Sequence, residues 1–137
     1  MRNCRLPFAL NMMKRFLILT AIIEAATGLA LIALPAIVVR LLLGAEIFGA
    51  SIPLSRVAGA ALLALGVACW LARDDTQSRV ARGLVVAMLI YNIAATAVLA
   101  FAGTGLGLHG IVLWPAVVLH AAMAIWCIVC LRRTTSM

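Results

Sequence analysis

The sequence predicts an all-α integral membrane protein: a four-helix bundle with both termini cytoplasmic, in a single domain over residues 1–137. Three observations predict it. First, 66% of the residues are hydrophobic and 11% charged, with a mean hydropathy of +1.21, whereas a soluble domain averages roughly 45–50% apolar and about 25% charged residues. Second, the apolar residues fall into four long runs divided by short polar or glycine-rich pieces. Third, the basic residues sit at the ends of those runs. Without water to satisfy backbone groups, each run must be helical, and none has the alternation of a membrane barrel.

The first span is read over about 16–38, within an apolar stretch that reaches Leu43 and is interrupted by Glu24, Pro35 and Arg40. Lys14 and Arg15 ahead of FLILTAII resemble the start of a signal sequence, but Glu24 and the length of the run favour an anchor that stays in the membrane. Met12 and Met13 offer alternative starts to Met1. Residues 40–52, in which Leu41–Leu43, Ile47 and Phe48 alternate with Glu46 and glycines, are expected to form an interfacial segment.

The second span is read over 55–72, with Arg56 snorkelling outward. RDDTQSR (73–79) is the one strongly hydrophilic stretch, and so short a loop predicts a tight antiparallel hairpin between the second and third spans. The third span is read over 83–102, the glycine-rich turn GTGLGLHG over 103–110, and the fourth span over 111–131.

Orientation follows from the basic residues. Arg2, Arg5, Lys14, Arg15, Arg73, Arg79, Arg82, Arg132 and Arg133 lie on one side, and only Arg40 and Arg56 on the other. That bias places both termini in the cytoplasm. The net charge of +7 thus serves topology and anionic lipid headgroups; no basic run interleaved with aromatics marks a nucleic-acid binder.

Glu24 is the one acidic residue inside a span, and an intramembrane ionisable group is a functional-site hypothesis with a partner to be found. Counted at 1.5 Å per residue from the cytoplasmic edge, Glu24 lies about 12 Å deep, Tyr91 and Asn92 roughly 12–14 Å, and His120 about 16 Å. These four residues are the candidate ligand or proton pocket. Thr20, Glu24, Thr27, Gly28 and Leu31 share one stripe; Ala116, His120 and Ala124 share another. Gly59 and Gly66 share a face suited to close packing. The same cluster would serve equally to specify the bundle through hydrogen bonds, or to form an oligomer contact.

Cys127 and Cys130 form C-x-x-C at the end of the fourth span, with Cys69 at similar depth. No second pair has zinc-site spacing, and the motif lies at a helix C-terminus on the reducing side, so buried apolar thiols are expected. No catalytic signature, metal site or cofactor motif is present in the sequence, and an enzyme is the less favoured reading.

The run EAATG (24–28) with Pro35, GAALLALGVACWLAR (59–73), Tyr91-Asn92 and LWPAVVLH (113–120) resembles a family of small bacterial four-span membrane proteins similar to the DoxX-like group. The resemblance implies a four-helix fold in the bacterial inner membrane and, for function, an accessory or scaffold subunit. Such a subunit would pack against a larger membrane complex or a second copy of itself, or bind a lipid-like ligand, with membrane lipids around it. AIIEAATG (21–28) also resembles the first span of the small multidrug exporters, which implies proton-coupled export through Glu24; the charge bias argues against the dual insertion those proteins show. A third reading is a membrane-embedded acid/base enzyme using Glu24 and His120 on a lipophilic substrate such as a sterol, isoprenoid or quinone.

Overall fold

The computed structural model describes the backbone of residues 5–135 and the side chains of residues 10–133. It is all-helical over that range: α1 (Arg5–Ala33), α2 (Pro35–Leu43), α3 (Ser51–Ala72), α4 (Arg79–Thr104) and α5 (Leu113–Thr135). Four of the five, α2 excepted, are long and apolar enough to cross a membrane.

The break between α1 and α2 follows from Pro35. Proline has no N–H and pushes the preceding residue out of helical geometry, and Leu34 indeed adopts φ −134°, ψ 54°. The chain re-enters a helix with Pro35 in its first turn and stops at Gly44, whose φ of +70° is the left-handed cap that glycine alone adopts freely. The first membrane helix therefore ends at Ala33 rather than near residue 38. The segment read as interfacial over 40–52 is helical only at its two ends, as the end of α2 and the first residues of α3. In the loop between α3 and α4, Ser78 caps α4 by accepting a hydrogen bond from the Ala81 N–H at 3.0 Å.

The helices pack as two antiparallel hairpins, α1 with α3 and α4 with α5, while α3 and α4 touch only slightly. The tight hairpin expected between the second and third spans is thus corrected. The short loop holds one pair of helix ends together, but the packing along the length is decided by glycine. A Cβ on Gly28 would lie 2.6 Å from the Gly59 carbonyl oxygen, and one on Gly66 would lie 2.9 Å from the Ala25 nitrogen. Such backbone-to-backbone approach is available to α3 against α1, and it maximises van der Waals contact where lipid removes the hydrophobic drive. In the second hairpin, Gly103 packs against Leu113 and Trp114.

The two hairpins share a core at one end of the bundle. Met13, Phe16, Leu17 and Ala21 of α1, Cys69 of α3, Ala81, Val85 and Met88 of α4, and Met123, Cys127 and Cys130 of α5 are all buried there. The Phe16 and Trp126 rings meet edge-on with centroids 5.7 Å apart. At the opposite end α2 closes onto the glycine-rich turn: the Val112 N–H donates to the Leu41 carbonyl at 3.1 Å, and Gly110 lies directly against the Leu41–Leu42 backbone.

Lys14 Nζ lies 2.6 Å from Asp74 Oδ1, tying α1 to the α3–α4 loop and placing both at the same end. The hydrogen bond from Lys14 is the main reason the Asp74 carboxyl is held below its ordinary range, with the charges of Lys14 and Arg73 adding to it. A lowered folded-state value means that the stabilisation is present above the ordinary carboxylate range and fades as pH falls through the lowered value. The pair is exposed, so it is screened by salt and weak. Asp74→Asn is expected to lower the thermal midpoint in detergent only slightly at neutral pH, with no difference from the parent in strong acid or high salt.

Candidate functional site

The polar residues of three helices meet in one layer. Glu24 on α1 is 4% exposed and Asn92 on α4 is 1% exposed; Tyr91 and His120 are half-buried. The Tyr91 hydroxyl donates to Glu24 Oε2 at 3.3 Å, a long bond for an O–H donor. His120 Nδ1 lies 2.9 Å from Asn92 Oδ1. The Tyr91 and His120 rings touch edge-on, centroids 5.6 Å apart and planes 85° apart, which joins the two pairs. Asn92 Nδ2 donates to the Met88 carbonyl of its own helix at 2.7 Å.

All four residues singled out in the sequence are therefore in this layer, in an arrangement that depth alone did not give. Glu24 is bonded to Tyr91, and no hydrogen bond joins it directly to His120 or Asn92. Neighbouring helical positions point about 100° apart at 3.6 residues per turn. Tyr91 thus faces α1 while Asn92 faces α5.

The layer lies where the shared core ends. One turn inward, Thr20 is fully buried; three residues outward on the same stripe, Thr27 is exposed. Residues buried further out, such as Gly59 and Gly103, sit in contacts within a hairpin rather than between the two. Between the polar layer and the α2 closure, the hairpins are no longer joined by a buried core.

Two polar atoms in the layer are unoccupied. Neither Glu24 Oε1 nor His120 Nε2 has a hydrogen-bond partner among the described residues. Neither is sealed either, because the one fully enclosed side-chain oxygen or nitrogen without a partner among those residues is Thr20 Oγ1. Thr20 was legible only as a member of the inward stripe. Enclosing a hydroxyl without a partner costs about 1–3 kcal/mol. Thr20→Val, which keeps the shape and removes the hydroxyl, is therefore expected to leave stability unchanged or raise it by about 1 kcal/mol. Reversible unfolding in micelles reads this directly, and a loss of that size instead would show that the hydroxyl has a partner.

Cys69, Cys127 and Cys130 are buried in the shared core and form no disulfide, and Cys4 lies outside the described residues. No group of three or more His, Cys, Asp or Glu among the described residues is placed to hold a metal ion. His109 is exposed in the turn between α4 and α5. Chemically, the layer offers a carboxyl hydrogen-bonded to a phenol and, beside them, an imidazole hydrogen-bonded to an amide, a set able to bind a polar head group at the edge of an apolar interior.

Comparison with family models, with curated proteins and with solved structures returns no match for this chain. No family is assigned, and the functional reading rests on the geometry.

Proposed function

We propose that this chain is a multi-pass protein of the bacterial inner membrane that holds a lipid-soluble ligand at the Glu24–Tyr91–His120–Asn92 layer, as an accessory subunit beside a larger membrane complex. The single observation that carries the reading is the position of the layer. Two unsealed polar atoms without a partner among the described residues, Glu24 Oε1 and His120 Nε2, each read here as an acceptor, stand where the shared core of the two hairpins ends. A layer that served only to specify the bundle would use up its own lone pairs within the protein, since a buried polar group left unpaired is costly. A ligand entering sideways from the lipid between the hairpins would set its polar head against these acceptors and its tail against apolar helix faces. Affiliation with the DoxX-like group belongs to the same proposal and rests on the residues that carry that resemblance.

The experiment is purification in mild detergent followed by mass spectrometry of bound lipids and co-purifying proteins. A small amphipathic molecule at about one per chain, retained through washing and displaced on unfolding, supports the reading. A lipid-free chain with unaltered stability refutes it.

Both termini are proposed to be cytoplasmic, on the strength of the basic residues gathered at the end of the bundle that holds Lys14 and Asp74. With the native cysteines replaced, Asp75→Cys is expected to react with an impermeant thiol reagent only after the cells are opened. Gly107→Cys is expected to react in intact spheroplasts. The reverse pattern would invert the topology.

A further inference from the structure

Asn92 has one way to satisfy both of its neighbours. Its amide nitrogen donates to the Met88 carbonyl at 2.7 Å, which leaves Oδ1 facing His120 Nδ1 at 2.9 Å. Turning the amide over would set two carbonyl oxygens against each other at the first contact. The amide oxygen only accepts, so the proton between Asn92 and His120 must reside on Nδ1. A neutral imidazole protonated at Nδ1 presents a bare lone pair at Nε2. The Tyr91 proton is directed to Glu24 Oε2, so the phenol keeps only lone pairs for any newcomer. Glu24 Oε1, like His120 Nε2, has no partner among the described residues.

We propose that Asn92 is a positioning residue that fixes His120 in the Nδ1–H form, and that the site therefore takes an amphiphile whose head donates hydrogen bonds, an ammonium or a hydroxyl, and discriminates against an acceptor-only head such as a ketone. The choice of head group rests on the ligand-pocket reading above; the state of the ring does not. Asn92 acts through His120 and need not touch the ligand. The selectivity follows from lone-pair counting: a ketone oxygen placed between Nε2 and the phenol oxygen finds only acceptors, and leaving such groups mutually unpaired is what makes polar sites reject the wrong partner.

The ring is read directly by nitrogen NMR of the full chain labelled in histidine. The sequence has two histidines, and His109→Gln identifies the signals of His120. At a pH about two units above the ordinary imidazole value, where the ring is neutral, wild type is expected to show a protonated Nδ1 and a bare Nε2. Asn92→Leu is expected to lose that pattern. If the leucine variant does not fold, the wild-type spectrum decides the matter by itself. Dodecylamine, dodecanol and the methyl ketone of equal chain length are then compared by thermal shift and by displacement of bound lipid. The amine and alcohol are expected to bind at least about tenfold more tightly than the ketone. An Nε2–H ring in wild type, or a ketone that binds as tightly as the amine, overturns the inference. A bare Nε2 with no binding of any probe overturns the ligand-pocket reading and the head-group selectivity while upholding the role of Asn92.

Discussion

Gly28→Ala is expected to destabilise the bundle by about 1–3 kcal/mol, the usual cost of overpacking a filled interior. The added methyl would lie 2.6 Å from the Gly59 carbonyl oxygen and 2.7 Å from the Leu63 nitrogen. Both are backbone atoms of α3, so no side chain can swing away and the helices must part. The reciprocal change is equally tight, since a Cβ on Gly59 would meet the Gly28 carbonyl oxygen at 2.7 Å. Once one methyl has pushed the helices apart, the second meets less resistance, so the double variant should lose less than the two single losses added together. Gly83→Ala is the internal control. Gly83 lies in α4 with nothing within 4 Å of a would-be Cβ, and relief from glycine in a helix is worth about 0.5–1 kcal/mol. The two alanine substitutions should therefore shift unfolding midpoints in opposite directions. Equal shifts would mean that α1 and α3 do not meet at Gly28.

The same glycines mark how far the fold was legible in the sequence. Four long apolar runs require four membrane helices because lipid leaves backbone groups no other partner, and the all-helical architecture follows from that alone. Gly28, Gly59 and Gly66 were recognisable as facing inward, but spacing on one helix does not name the helix opposite. Chain adjacency favoured α3 with α4; close backbone packing favours α3 with α1. Pro35 was visible as an interruption, yet where α2 would dock depended on Gly44 and Gly110 meeting across about 65 residues of chain, and no local pattern reports that.

In the candidate site, depth counting brought Glu24, Tyr91, Asn92 and His120 into one layer because rise per residue is nearly constant in helices. Which of the adjacent pair Tyr91 and Asn92 would face Glu24 depended on the rotation of α4 about its axis, which is set by packing against α5 and the shared core. The Met88 carbonyl, which orients the Asn92 amide, has no signature in sequence at all, since every residue carries one.

Glu24→Gln is expected to leave the fold nearly unchanged while removing the bound ligand. The structural half of that expectation comes from the geometry of the Tyr91 contact. At 3.3 Å the hydrogen bond is long and weak, and a glutamine carbonyl oxygen can accept it in place of the carboxyl. The stability difference should therefore stay within about 1 kcal/mol, the worth of an ordinary hydrogen bond. The functional half comes from Oε1. In the variant an NH₂ group takes one of the two oxygen positions, turning an acceptor into a donor where a ligand head would sit. The lone pair that a donating head group would use at that position is lost, and no other group replaces it. Ligand retention through purification should fall by about tenfold or more, the equivalent of about 1.4 kcal/mol. Tyr91→Phe separates the two oxygens further: it deprives Oε2 of its donor and leaves Oε1 as it was, so it should perturb stability at least as much as Glu24→Gln and ligand retention far less. Measured side by side, unfolding midpoints and bound lipid per chain place each residue. A Glu24→Gln protein that carries the same ligand at the same occupancy as wild type would reduce Glu24 to a structural hydrogen-bonding group, and the layer to a device that sets the distance between the two hairpins.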